Sequence, residues 1–118
     1  MNNGNKHIIL TVKSHHQITI DPETIIRCES DTNYTTIHLK DEKYMVCKTL
    51  SHVEQSFKNL PTPFVRIHQS HLINLNRIKD IHKYKQWEIT MQDESIIQVS
   101  RRKHKALTEQ IEQHYITL

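Results

Sequence analysis

The sequence predicts a mostly β domain, built from several small antiparallel sheets with short helices. Short runs rich in β-branched and aromatic residues recur at nearly regular spacing along most of the chain, which is typical of antiparallel strands. Polar turn residues separate these runs, and a helical spacing of apolar residues is confined to two segments. The 118 residues are enough for one domain with a modest core, which excludes a multi-domain enzyme.

Nine segments have the composition expected of strands. They are residues 7–12, 16–20, 24–30, 33–39, 43–47, 64–67, 78–84, 86–91 and 96–99. Hairpin turns are predicted at residues 31–33, 41–42 and 92–95, where Asp, Asn or Ser replaces the glycine common in turns. A further short turn is predicted at residues 68–71, where a strand gives way to polar residues.

The first helix is predicted near residues 50–59. Starting at Leu50, apolar residues recur at steps of three, four and three, which places them on one helical face. Two capping arrangements fit its start. Thr49 can act as the N-cap, or Ser51 and Glu54 can form a capping box.

The second helix is predicted near residues 101–115. Ser100 is a suitable N-cap residue, and Leu107, Ile111 and Tyr115 would form the apolar face. The basic residues that follow Ser100 would then lie in the first helical turn, where positive charge opposes the helix dipole. A bound anion would offset that unfavourable placement.

The domain is predicted to extend over residues 7–118, and residues 1–6 are predicted to be disordered. No apolar run approaches the roughly 20 residues of a membrane span, so no membrane partner is expected. Cys28 and Cys47 both lie in strand-like segments and do not make a disulfide framework. We therefore expect buried, reduced thiols and a cytoplasmic protein.

Positive charge is concentrated in one part of the sequence. Residues 1–63 are neutral, with seven basic and seven acidic side chains. Residues 64–108 hold nine basic and four acidic side chains, a local charge of +5, and the last ten residues carry −2. This concentration indicates a polyanionic partner. Because the chain has a single glycine, Gly4, nucleotide-binding loops built on glycine are excluded.

No catalytic constellation is found. His68 and His71 are three residues apart, but the sequence lacks the additional closely spaced ligands that a zinc site needs. Neither cysteine has a sequence context that indicates a nucleophile, and the paired carboxylates occur at turns. We therefore predict that the chain is not an enzyme and that it holds no metal or cofactor.

Three groups of polar and basic residues are candidates for DNA binding. They are Asn33, Tyr34 and Thr35 with Lys48; Arg66, His68, Gln69 and Ser70; and Arg101, Arg102 and Lys103. Arginine pairs bidentately with guanine and glutamine with adenine, whereas lysine contacts phosphate. We expect Arg101, Gln69 or His68, and the residues from Asn33 to Thr35 to contact bases.

Four segments together closely resemble the LytTR DNA-binding domain. They are residues 29–34 (ESDTNY), 50–54 (LSHVE), 64–75 (FVRIHQSHLINL) and 97–102 (IQVSRR). Their order and spacing agree with the family, and the resemblance covers about residues 18–115. It implies a mostly β domain that binds duplex DNA through three loops, usually at paired sites on bent DNA.

The resemblance places Arg101 at the family's base-reading arginine. It also implies a transcriptional regulator, the output domain of a two-component response regulator, with a receiver domain elsewhere in the full-length protein and an upstream histidine kinase. A homodimer on DNA is expected. The chain departs from the family at Gln69, at His71, where an aromatic residue is usual, and at the hairpin around residues 93–94, which lacks the usual glycine.

We therefore predict sequence-specific duplex DNA binding by a transcriptional regulator that reads major grooves through loops. The alternative is a β-rich protein-interaction module whose basic face binds an acidic partner. A histidine-rich metal-dependent enzyme is a third class, disfavoured by the missing ligand spacing.

Overall fold

A computed structural model describes residues 7–115, which form ten strands and two α-helices. The strands are β1 Ile8–Thr11, β2 Gln17–Ile20, β3 Arg27–Asp31, β4 Tyr34–His38, β5 Lys43–Val46, β6 Phe64–His68, β7 His71–Asn74, β8 Ile78–His82, β9 Glu88–Met91 and β10 Ile96–Gln98. The helices are α1 Leu50–Phe57 and α2 His104–His114. The predicted mostly β class is confirmed. The expectation of disorder at residues 1–6 lies outside the described residues.

Five strands form the central sheet, in the order β5-β4-β3-β7-β6, and all neighbours are antiparallel. Strand β7 was not predicted, because its residues Leu72 and Ile73 are both fully buried and show no alternation of apolar and polar side chains. The predicted turn before β7 is a hairpin connection between β6 and β7. The hairpin turns predicted at residues 31–33, 41–42 and 92–95 are confirmed.

The central sheet separates two hydrophobic cores. On one face, Cys28, Ile37 and Leu72 pack with α1 and the β1–β2 hairpin. On the other face, Val65 and Ile73 pack with α2 and with the three-stranded sheet, whose order is β10-β9-β8. The domain is therefore a sandwich of layers, and the central sheet sets the relative positions of all its loops.

The start of α1 agrees with one of its two predicted capping arrangements, whereas α2 starts later than predicted. Thr49 Oγ1 accepts a hydrogen bond from His52 N at 3.2 Å, so the Thr49 cap is confirmed, and Glu54 pairs with Arg66 instead of closing a capping box. Helix α2 begins at His104, not near residue 101, because residues 101–103 form a turn. The basic run nevertheless stays at the positive end of the helix dipole, because Lys103 is the N-cap residue and Lys105 lies in the first turn.

Two other predictions were wrong. The strands expected at residues 78–84 and 86–91 are shorter, and residues 83–87 form a loop between β8 and β9. Cys47 is exposed because it follows the last residue of β5, whereas Cys28 is buried as expected. Burial raises the pKa of the Cys28 thiol, against a smaller opposing effect of Arg27, so this thiol stays protonated and packs as an apolar group.

Buried and partly buried polar contacts join the layers. The Arg27 guanidinium lies 2.9 Å from the Asp93 carboxylate, which ties the central sheet to the β9–β10 turn. The Asn74 side chain donates to the Ile25 carbonyl at 2.9 Å and accepts from Asn76 N. Within residues 7–115, no helix is long and apolar enough to cross a membrane.

Candidate nucleic-acid interface

The three predicted loops lie side by side. Ser30 N, at the end of β3, donates to the Ser70 carbonyl at 3.0 Å and joins the β3–β4 and β6–β7 turns. Ser100 N donates to the Ile67 carbonyl at 2.9 Å and joins the third loop to β6. Strand pairing thus brings together groups that are more than 60 residues apart in the sequence. We call this region the loop end, comprising residues 12–16, 31–34, 47–48, 68–70, 83–87 and 99–103.

In the first loop, the structure separates exposed side chains from buried ones. Asn33 is exposed at the tip, next to Thr32, which has a positive φ of 52°. Tyr34 is half-buried beneath the ammonium of Lys13, which lies 4.8 Å from its ring centroid. Thr35, a predicted contact residue, is fully buried, and its hydroxyl donates to the Lys48 carbonyl at 2.7 Å. Its side chain therefore positions exposed Lys48 and is not available to a ligand.

In the second loop, Arg66 shapes the turn. Its guanidinium donates to the carbonyls of His68 at 3.0 Å and Gln69 at 2.5 Å. It also pairs with Glu54 of α1 at 2.8 Å, and the Arg66 side chain is only 15% exposed. Arg66 was predicted as a DNA contact, but each of its three guanidinium nitrogens donates within the domain, which indicates a positioning role for this side chain.

The remaining residues of this loop are all at least partly exposed. His68 Nδ1 accepts a hydrogen bond from Ser70 N at 3.0 Å, so the neutral ring carries its proton on Nε2. An Nε2–H group is a donor suited to the acceptor atoms of guanine in the major groove. Gln69 is exposed at the tip and Ser70 is partly exposed.

The third loop presents three adjacent cations. Ser100 Oγ and its carbonyl both accept from Lys103 N, at 3.2 and 3.0 Å, and this turn leaves Arg101, Arg102 and Lys103 exposed. Arg102 and Lys103 line a cleft of about 530 Å³ with His68 and Gln69, so the second and third loops share one concave surface. Arg101 lies on the other side, in a smaller cleft described below.

The loop end carries strong positive charge. Its ranges contain seven Lys or Arg residues and one carboxylate, Asp31. Across residues 7–115, none of these seven cations has an ion-pair partner. The arrangement can attract a polyanion and still keep its cations available for phosphates.

A partly buried polar cluster lies behind the second loop. Glu29 is bonded to Arg27 at 2.9 Å and to His38 at 3.1 Å, and His71 pairs opposite Glu29 in the sheet. His71 Nδ1 is buried and has no hydrogen-bond partner among the residues that the structure covers. Burial is the largest effect that lowers the pKa of His71, although the Glu29 carboxylate opposes it.

Among residues 7–115, the structure shows no cluster of potential metal ligands. The described residues contain no group of three or more His, Cys, Asp or Glu side chains that could hold a metal ion. His68 and His71 face each other with ring centroids 5.6 Å apart, across the β6–β7 hairpin and not on one helical face.

Lys13 and residues 83–87 were missed by the sequence reasoning, although both belong to the loop end. The signal for Lys13 was a basic residue in a polar segment between two predicted strands. The signal at residues 83–87 was a lysine on each side of Tyr84. It was overlooked because Lys83 and Tyr84 were assigned to the strand predicted at residues 78–84, since tyrosine favours strands.

Comparison with known proteins decides the family. A family model described as the LytTr DNA-binding domain matches residues 15–112. The chain belongs to the LytTR DNA-binding domain family. The predicted DNA-binding function is therefore confirmed at the level of the family, and this family is a DNA-binding one, not a catalytic one.

Curated relatives are similar to parts of this LytTR domain. The sensory transduction protein LytT of Bacillus subtilis is 31% identical over 93 residues, which are 76% of this chain and 37% of the relative. The transcriptional regulatory protein LytR of Staphylococcus aureus is 35% identical over 62 residues, 52% of this chain and 24% of that protein. A haem-containing CO-sensing transcriptional regulator, RcoM 2 of Paraburkholderia xenovorans, is 36% identical over 58 residues, 49% of this chain and 21% of that protein. The LytTR chain thus matches well under half the length of each.

A solved structure supports the fold. The LytTr DNA-binding domain of a methyl-accepting/DNA response regulator from Bacillus cereus superposes with a TM-score of 0.71 at 17% identity. The match covers 90% of this chain and 96% of that one. At this identity the likeness establishes the fold alone.

Proposed function

We propose that this LytTR domain binds specific sites on duplex DNA through the loop end, as the output domain of a transcriptional regulator. The observation that carries the proposal is the convergence of three loops, fixed to one another by main-chain hydrogen bonds, around exposed Arg101, Gln69 and Asn33. Arg101, Gln69 and the Nε2–H of His68 would contact base edges. Lys48, Arg102, Lys103 and the hydroxyl of Ser70 would contact phosphates and set the register.

The regulatory context extends the proposal. We infer a receiver domain elsewhere in the full-length protein and an upstream histidine kinase, since the relatives named above are regulatory proteins and are longer than the matched segment. Paired half-sites, occupied by two copies of the domain on one duplex, are expected. Such a regulator would act in the cytoplasm, and it would need neither a cofactor nor catalysis.

Selection of bound sequences from random duplex DNA tests this proposal, followed by a salt titration on the selected site. With about six phosphate contacts, log Kd should change with log salt by a slope of magnitude about 5. Recovery of one recurring motif with such a slope supports specific binding. No enrichment of any motif, together with salt-insensitive binding, would instead favour the alternative of a module that binds an acidic protein.

A further inference from the structure

The β8–β9 loop, residues 83–87, lies next to the third loop but was not part of the predicted interface. Val99 N donates to the Trp87 carbonyl at 2.9 Å, where β10 leads into the third loop. The loop turns tightly, with Gln86 N donating to the Tyr84 carbonyl at 2.6 Å and Lys85 at a positive φ of 55°. It therefore occupies a defined position at the loop end.

A buried tryptophan anchors this loop. Trp87 is 9% exposed, and its ring meets His104 of α2 edge-on, with centroids 4.8 Å apart. The Lys83 ammonium lies 5.0 Å from the Trp87 ring centroid. Since α2 starts directly after the third loop, Trp87 and His104 fix the two loops relative to each other.

The outer surface of the loop is basic and aromatic. Tyr84 is 80% exposed, and the Lys85 ammonium lies 5.5 Å from its ring centroid. Lys85 and Arg101 line one cleft of about 230 Å³, so the cations of the two loops form a continuous surface. Residues 81–87 and 95–108 contain no Asp or Glu, and no described carboxylate pairs with Lys83 or Lys85.

We propose that the β8–β9 loop is a fourth DNA-binding segment, in which Lys83, Lys85 and the Tyr84 hydroxyl contact phosphates that flank the base step read by Arg101. This inference rests on the proposed function. Lysine contacts phosphate as a point charge and tyrosine donates one hydrogen bond to it, so this loop adds affinity and sets register without reading bases. The footprint of the domain would then extend beyond the three loops on the side of Arg101.

The test uses the variant Lys83→Gln/Lys85→Gln, which removes two charges and keeps the aliphatic stems that cover the aromatic rings. Its matched control, Lys40→Gln/Lys58→Gln, removes two exposed lysines at the other end of the domain. Kd is measured between 50 and 200 mM salt on the selected site and on an unrelated duplex. Hydroxyl-radical footprinting then locates the protected sugars.

The loop variant should reduce the magnitude of the salt slope by about 2, since each lost phosphate contact removes about 1. Both duplexes should be bound roughly 10- to 30-fold more weakly at 0.15 M salt, with the ratio between them preserved. Protection flanking each half-site should disappear on one side only. The control should keep the wild-type slope and footprint.

Three results would overturn the inference. They are an unchanged slope in the loop variant, an equal reduction in the control, which would indicate a general effect of net charge, and a loss of discrimination between the two duplexes. In each case the wild-type domain still binds its site, so the proposed function stands. If the wild-type domain binds no duplex at all, the proposed function itself fails.

Discussion

The two ends of the domain are built from the same strands but differ in the sign of the charge that their side chains carry. The loop end carries seven cations and one carboxylate in its turns. The opposite end, comprising residues 21–26, 39–42, 58–63, 75–77 and 92–95, carries six carboxylates and three cations. Two of these carboxylates form ion pairs with residues of the adjoining strands, Asp93 with Arg27 and Glu94 with Lys79.

This difference separates stability from function. At the opposite end, the Arg27–Asp93 ion pair joins the central sheet to the three-stranded sheet and contributes to stability. At the loop end, the bonding comes from the main chain, the largely buried side chain of Arg66 and the fully buried side chain of Thr35, and the exposed cations contribute little to folding. We expect substitutions at the opposite end to change stability and those at the loop end to change DNA binding.

The largest expected effect is at the opposite end. Asp93→Ala leaves Arg27 without its partner, and since both side chains are nearly buried, we expect a loss of about 2–4 kcal/mol of unfolding free energy. Urea unfolding measures this. In the control Glu94→Ala, the lost pair with Lys79 is exposed, so the loss should stay below about 1 kcal/mol. Equal losses in the two variants would contradict the comparison.

Next in size is the separation of base reading from positioning within the third loop. Arg101→Ala should weaken binding to the selected site by about 10- to 100-fold, because one bidentate arginine–guanine pair contributes roughly 1–3 kcal/mol. The ratio of specific to non-specific affinity should fall with it. Lys103→Ala should lower both affinities alike and leave that ratio unchanged. If Arg101→Ala preserves the ratio at one fixed salt concentration, the second loop becomes the main base reader.

A smaller effect tests the role of Arg66 as a positioning residue. Glu54→Gln weakens the contact that orients Arg66, and the loosened second loop should bind the selected site a few-fold more weakly, the equivalent of about 1 kcal/mol. Long-range electrostatics alone predicts tighter binding instead, because the variant removes a negative charge near DNA. Glu112→Gln on α2 is the control and should bind as the wild type does. Tighter binding by Glu54→Gln would exclude the positioning role.

The smallest expected effect is on the pH dependence of stability. Burial is the largest effect that lowers the pKa values of His38 and His71, with Arg27 acting in the same direction and Glu29 opposing. Below about pH 6.5 the unfolded chain therefore takes up protons that the folded domain does not, so stability should fall as pH falls from 6.5. His71→Gln should flatten this dependence in urea titrations at several pH values, and exposed His52→Gln should not. A wild-type stability that rises between pH 6.5 and 5.5 would contradict the assignment.

At lower pH, protonation of Asp93 at the opposite end also destabilises the domain. Burial acts to raise the pKa of Asp93, but hydrogen bonds from Ser95 and Arg27 outweigh it and hold that pKa below its usual value. The stability that this carboxylate contributes is present above the unfolded pKa of about 3.8 and is lost as pH falls through the folded value. The two losses have the same sign and follow one another on acidification.

The fold was largely predictable because its signals are local. Residues alternating in strands, Thr49 before an apolar face, and Asp or Asn at tight turns each point to one conformation. Strand β7 was not predictable in this way, because a short strand buried on both faces has no periodic pattern. The loop at residues 83–87 was hidden by Tyr84 and Trp87, whose β propensity does not distinguish a strand from a loop anchored by an aromatic ring.

The candidate site was predictable in composition but not in geometry. Arg101, Gln69 and Lys103 were predicted to be exposed hydrogen-bond donors, and all three side chains are exposed. Residue type alone does not predict that the Arg66 guanidinium donates to the His68 and Gln69 carbonyls, or that the Thr35 side chain is buried. Those assignments depend on contacts with residues distant in the sequence, such as Glu54 and Lys48.

Turns without glycine have a mechanical consequence for recognition. Thr32 and Lys85 adopt positive φ with full side chains, held there by the strands on either side. Non-glycine residues have fewer alternative backbone conformations than glycine. These turns are therefore rigid and should lose little conformational entropy when they bind DNA. In the proposed complex, a rigid loop end would require the duplex to deform. Part of the sequence preference should then appear at base pairs that no side chain touches, as a preference for flexible pyrimidine–purine steps.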